Sequence, residues 1–333
     1  MLFSWELIKK TVRHAAKAAA AAALAGLACA PVVIIPETAD PGTTWVADAG
    51  GGRVFKVNKA CSDVVATSPD LGRPVAVVFD SYKGYCWAAD ADGGRVFRLT
   101  ARGVVEKTLY GFGEPVALAY FPKENTVWVA DRADGKVYKL TERGTIAATL
   151  DGLKEPVAVA VDARQGDVYV ADARAGRIVR CNRSAKPILN FYGFKNPQAI
   201  AFDGGFGHLW VADTGNGRIV KMKTSGEKVV VSRKLKAPTA VAVNPVTGVC
   251  FVADVEAGKV ISLAGNGTLR WTNEAYRRPV ALAANAVDAS VWVADAYDFV
   301  VAKLKGNTGK PGDYKSVAGF ADPVALYSDP GTR

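Results

Sequence analysis

Histidine is nearly absent from this chain, which has only His14 and His208. One histidine beyond the N-terminal segment cannot supply the imidazole set that base catalysis or a zinc site needs. His208 has no partner at ligand spacing and reads as a satisfied surface residue. Cysteine is sparse too. The five, Cys29, Cys61, Cys86, Cys181 and Cys250, form no CxxC pair, which argues against a zinc site or a disulfide scaffold. The last four read as buried free thiols. No GxSxG elbow, phosphate loop or HExxH occurs. No segment interleaves basic and aromatic residues. Of the formal charge of +10, residues 1–28 carry +3 (Lys9, Lys10, Arg13 and Lys17 against Glu6). The rest is spread along the chain, so nucleic acid is not an expected partner.

The chain opens with a basic stretch, residues 1–17, followed by an alanine-rich apolar stretch, Ala18 to Ala28. That order and length are those of an export signal. Nineteen uncharged residues separate Lys17 from Glu37, barely a membrane span, and Pro31 and Pro36 interrupt them. Gly26-Leu27-Ala28-Cys29 resembles a bacterial lipobox, in which Cys29 would be lipidated after cleavage. Ala28 fits its position, whereas Gly26 stands where leucine is usual. Lipidation, ordinary cleavage and an uncleaved anchor all stay open. Residues 1–29 are thus assigned as an export signal, 30–43 as a tether and 44–333 as the folded domain. The expected location is outside the cytoplasm, in the periplasm or cell envelope.

Thirty-three glycines and sixteen prolines fall at regular intervals, which is turn punctuation. They belong to a repeat. An aromatic-x-Ala-Asp motif ends at Asp48, Asp90, Asp131, Asp172, Asp213, Asp254 and Asp295, spaced 42 residues once and 41 five times. A second motif, proline followed by alternating valine and alanine, begins at Pro74, Pro115, Pro156, Pro197, Pro238, Pro279 and Pro323. Each unit holds four short runs of period two with β-branched and aromatic content, bounded by Gly, Asp and Asn. Four strands per repeat, arranged radially, predict an all-β, seven-bladed β-propeller of four-stranded blades.

Residue size supports this. Innermost strands converge on an axis and need small side chains, as in Val157-Ala-Val-Ala160. The tryptophan and alanine of the second strand share a face and can fill the gap to the next blade. The chain enters at Trp45 without a first strand and ends at Pro323 with one. Pairing the two ends in one blade closes the ring and removes exposed strand edges.

Pro197-Gln-Ala-Ile-Ala-Phe-Asp203 followed by His208-Leu-Trp-Val-Ala-Asp-Thr-Gly-Asn-Gly-Arg-Ile219 resembles an NHL repeat. The remaining units resemble weaker copies, so the likeness covers residues 44 to 329. The chain is also similar to YVTN-type and streptogramin-lyase-like propellers. This resemblance implies a binding platform, often for protein or nucleic acid, with a minority of enzymes. The streptogramin lyases of this group depend on a set of histidines, which His208 alone cannot supply.

The seven aspartates recur in every unit, so they are read as structural turn residues accepting backbone N–H groups. A basic residue five positions on (Arg53, Arg95, Lys136, Arg177, Arg218, Lys259) can pair with them. The last unit departs, with Val300 at that position and Tyr297-Asp298-Phe299 in the turn. The expected functional surface is the face bearing these turns and the connections between blades. Phe112, Phe194 and Phe320 recur in register and read as gap fillers. Arg132, Arg174, Lys195, Arg277 and Arg278 are the ligand-binding candidates, since exposed arginines bring forked hydrogen bonds to an interface. The predicted function is a monomeric, envelope-tethered binding or scaffold module for a protein, glycan or small anionic ligand. The alternative is a hydrolase or lyase with Ca²⁺ or Mg²⁺ held by carboxylates at the central channel. No specific metal ligand or other cofactor is indicated.

Overall fold

The computed structural model describes residues 42–80, 82–232, 234–309 and 315–328. The export signal, Cys29 and all but the last two residues of the tether lie outside them. Among the described residues no helix is long and apolar enough to cross a membrane.

Seven four-stranded antiparallel sheets form the fold, six of them continuous in sequence. These six blades span residues 74–110, 115–150, 156–192, 197–231, 238–273 and 279–318. The seventh joins the C-terminal strand Pro323–Ser328 to the first three strands of the chain, Thr44–Asp48, Arg53–Val57 and Val64–Thr67. Trp45 pairs with Tyr327 and Val46 with Leu326 across that junction. Every innermost strand starts at a proline, and in all seven blades the register slips beside that proline. Proline has no N–H to give the ladder, so the strand can begin there but cannot pair regularly.

The core lies between blades. Trp128 and Ala130 pack with Val159, Val168 and Val170 of the following blade, as the shared-face pattern predicts. Innermost strands line the axis, where alanine, valine and leucine keep the blades close. All four described cysteines are buried and free. Burial pushes the Cys181 thiol up to about 12, and Cys86 and Cys250 also lie above the ordinary range. Thiols held protonated in this way are inert.

A periodic contact absent from the sequence expectations joins the blades. The fourth residue of most third strands is basic and reaches a carbonyl in the next blade. Lys139 Nζ donates to Arg183 O at 2.8 Å, Arg180 Nη1 to Thr224 O at 2.9 Å, Lys221 Nζ to Gly265 O at 2.8 Å and Lys303 Nζ to Lys59 O at 2.8 Å. Lys139, Lys221 and Lys303 also lie over the rings of Trp128, Trp210 and Trp292, at 5.7, 5.1 and 5.1 Å. Such a cation–π contact contributes roughly 0.5–2 kcal/mol. The blade of residues 238–273 has Ser262 at this position. There Trp271 Nε1 donates to Gly306 O at 3.0 Å instead, so the bridge is kept with a different donor.

The aspartates at the ends of the second strands are almost completely buried. The expected N–H groups of their own turns reach Asp90, Asp131 and Asp295. All seven also accept at least one N–H from the connection that enters the blade. Asp131 accepts from Gly113 N (2.7 Å) and Glu114 N (2.8 Å), and Asp254 accepts from Lys236 N (3.0 Å) and Ala237 N (2.7 Å). Asp48 does the same across the ring closure, from Ala321 N at 2.9 Å and from Asp322 N. The expected basic partner is found for Asp90, Asp172 and Asp213, whose Arg95, Arg177 and Arg218 lie 2.8, 2.9 and 2.7 Å away through Nε. Their second guanidinium arm reaches the incoming connection at Leu71 O, Gly152 O and Gly193 O. Lysine lacks that fork, and Lys136 points instead to Asp151 at 3.9 Å.

Removing Asp213 takes the partner from Arg218 Nε and from the Lys195 N–H, a loss of about 2–4 kcal/mol. Asp254→Ala, with no arginine to strand, should cost about 1–3 kcal/mol. Urea unfolding of Asp213→Ala and Asp254→Ala checks both the size and the order.

Candidate functional site

The turns after the aspartates and the inter-blade connections share one face, because the aspartates tie them together. Ala173 N donates to Glu155 O and Gly215 N to Lys195 O, at 2.9 and 2.8 Å, which adds a second tie between turn and connection. This face is therefore rigid where its side chains are most exposed.

Its charge is unevenly distributed. Two residues ahead of the innermost-strand proline stand Lys154, Lys195, Lys236 and Arg277 in four consecutive blades, all exposed. The other three blades have Gly72, Gly113 and Ala321 at this position. The backbone N–H of each cation is held by the buried aspartate of its blade: Lys154 by Asp172 at 3.1 Å, Lys195 by Asp213 at 2.7 Å, Lys236 by Asp254 at 3.0 Å and Arg277 by Asp295 at 2.8 Å. The Lys195 stem crosses Gly215, where a Cβ would approach its Cγ to 2.7 Å. Exposed Lys234 and Arg278 extend the arc.

Of the expected binding residues, Lys195, Arg277 and Arg278 lie in this arc, and exposed Arg174 follows Asp172 in the turn beside Lys154. Arg132 stands apart. It is held by Glu114, with Nε 2.7 Å from Oε2 and a second contact from Nη2 to Oε1. Those hydrogen bonds keep the Glu114 carboxyl below the usual carboxylate range. The pair borders a recess of about 220 Å³ at the channel mouth, with Arg73, Val116 and Gln198. Lys154, Lys234 and Lys236 were not among the expected binding residues, although Lys154 and Lys236 hold the same position before the proline as Lys195 and Arg277.

The arc ends in the irregular turn of the last unit. Phe299 sits at φ 56°, where the other blades use glycine, for example Gly94 at 58° and Gly217 at 59°. The Arg277 guanidinium lies 4.8 Å over the Tyr297 ring and 3.6 Å from Asp298. A cation and two exposed aromatics thus meet on a strained turn. Phe112, Phe194 and Phe320 pack inward as expected, Phe112 edge-on to Tyr138 and Phe320 edge-on to Phe55.

The channel side chains are mainly apolar. Its wider part, about 400 Å³, is lined by residues such as Leu118, Val159, Ile200, Val241 and Leu282, with Tyr120, Tyr327 and Ser328 as the polar side chains. No carboxylate lines it, and among the described residues no three His, Cys, Asp or Glu converge in a metal-holding group. His208 lies on the opposite face, at the start of its strand. Burial, and then Lys221, lower its pKa, so it is held in the neutral form.

No protein-family model matches the chain, and no curated protein sequence does. Solved propellers do match in fold. A streptogramin B lyase is 13% identical over 86% of this chain and 91% of its own, with a TM-score of 0.66. A functionally unknown protein from Desulfotomaculum acetoxidans is 11% identical over 87% and 100%, with a TM-score of 0.74. The hydrazine synthase of Kuenenia stuttgartiensis is 11% identical over 89% and 100%, at 0.68. At these identities the likeness is one of fold, and it places the chain among seven-bladed β-propellers of the kind its repeats resemble.

Replacing Phe299 with glycine should relieve left-handed strain and raise stability by about 1 kcal/mol, measured by thermal or urea unfolding. An unchanged or lower stability would show that the phenyl ring is held by packing that outweighs its backbone cost.

Proposed function

We propose that this chain is an exported, envelope-tethered binding module that engages an anionic partner, a protein or a glycan, through the cationic half of its loop-rich face. The observation that carries this is the arc of Lys154, Lys195, Lys236 and Arg277. A fold needs no cation at that position, since three blades do without one. Backbone anchoring by buried aspartates presents these charges at little further entropic cost. The flanking Tyr297 and Phe299 supply the apolar contact area that a charged patch alone lacks. The opposing enzymatic reading, a cation held by carboxylates at the channel, finds no acid along the wall of the wider channel. The streptogramin B lyase likeness, at 13% identity, is one of fold and brings no activity to this chain.

Retention on an immobilised polyanion such as heparin, eluted with salt, tests the arc. Lys195→Glu/Lys236→Glu should elute at clearly lower salt than Lys107→Glu/Arg270→Glu, which changes net charge equally at exposed positions elsewhere. Equal elution of the two would mean that net charge alone acts, and the arc would lose its role.

The tether is tested separately by the intact mass of the mature protein. A diacylglyceryl-sized increment on a chain beginning at Cys29 is the expected result. An unmodified Cys29 removes lipidation and leaves cleavage or an uncleaved anchor.

A further inference from the structure

The face opposite the loop-rich one bears the turns between the first and second strand of each blade. Their exposed tips differ along the ring. In the blades of residues 74–110, 115–150 and 156–192 they carry Lys83 next to Tyr82, which is 78% exposed, then Lys123 and Arg164. In the blades of residues 197–231, 238–273 and 279–318 they carry Phe206, Val246 and Val287, which are 56, 55 and 53% exposed. Turn chemistry does not require apolar tips, since equivalent turns on the same ring are charged.

The three apolar turns are bound to one another. A Cβ on Gly248 would lie 2.9 Å from Phe206 Cε2, so the phenyl ring rests on the neighbouring turn. Asn244 Nδ2 donates to Asn285 O at 3.1 Å, and Asn285 Nδ2 to Gly42 O at 3.5 Å. The same two asparagines accept from Val246 N at 2.9 Å and Val287 N at 2.8 Å through Oδ1. The tips are therefore fixed outward as a single arc. That arc ends at Gly42, where the described chain begins, beside exposed Lys59. Lys123 Nζ caps Arg164 O at 2.9 Å, which joins two of the cationic turns in the same way.

We propose that this face docks on an anionic membrane surface, with Phe206, Val246 and Val287 entering the headgroup region and Lys59, Lys123 and Arg164 meeting lipid phosphates. Rigid apolar tips rimmed by cations are the combination that gives interfacial binding its two components, buried apolar area and attraction to anionic lipid. The choice of a membrane over another occupant rests in part on the tether reading. Residues 30–41 could span at most about 40 Å fully extended, so an anchored chain meets the bilayer from the side on which Gly42 lies. The cationic arc on the other face would then point away from the membrane, toward partners.

All seven sheets form within residues 42–328, so the test uses residues 42–333 without the N-terminal segment. In vesicle co-sedimentation, this chain should partition onto phosphatidylcholine vesicles containing phosphatidylglycerol more strongly than onto phosphatidylcholine alone. Val246→Ser/Val287→Ser should lose partitioning on the order of tenfold with an unchanged melting temperature. Phe206→Ser is assayed separately because its ring packs on Gly248. Arg53→Glu, at the loop-rich end of its strand and outside the cationic arc, should partition as the parent does. The proposal is overturned by absent partitioning onto anionic vesicles, by an undiminished Val246→Ser/Val287→Ser variant, or by equal loss in the Arg53→Glu variant. Because the assayed chain lacks Cys29, its result is independent of lipidation.

Discussion

Everything on the loop-rich face depends on a buried carboxylate at the end of each second strand. The connection entering a blade crosses the top of the sheet, and its N–H groups have no ladder partner there. An aspartate that is 0–1% exposed accepts those N–H groups and so spares the fold several unsatisfied buried donors. In three blades an arginine then bridges carboxylate and connection with its two arms. The seventh blade applies the same device across the chain ends, where Asp48 binds the backbone of Ala321 and Asp322. Ring closure and loop anchoring are thus one interaction used seven times.

A scaffold this regular frees the exposed positions to differ. Blades are equivalent in their aspartates, prolines and core aromatics, yet their tips differ in register on both faces. Cations occupy one stretch of the loop-rich face. On the other face three consecutive blades carry the apolar tips Phe206, Val246 and Val287. Function is carried by departures from the repeat, and both departures sit on backbone that hydrogen bonds hold still.

The seven-blade closure and the inward aromatics were legible because they recur at a fixed period, and period is what a single chain displays best. The aspartates were recognised as structural, but their link to residues 17 and 18 positions earlier was not, because that pairing appears only once the first strand folds back. The period-two strands that hold Lys139, Arg180, Lys221 and Lys303 carry no signal of what these side chains reach. The first three reach carbonyls 44 residues on, and Lys303 reaches Lys59 across the ring closure. Trp271 stands opposite Ser262 across a hairpin, and it supplies the donor that the serine does not. Lys154 and Lys236 were visible in principle, and aligning the residue two places before each proline finds them. Cys29 and the export signal were legible only as sequence, outside the described residues.

Native-state hydrogen exchange at the backbone amides of Lys195, Lys236 and Arg277 tests the anchoring most directly. These residues have exposed side chains in connections between blades, where amides ordinarily exchange fast. Anchoring by Asp213, Asp254 and Asp295 predicts protection comparable to that of the second-strand amides. Exchange as fast as in the outer turn at Arg143 would contradict it, and with it the idea that the cationic arc is a fixed surface.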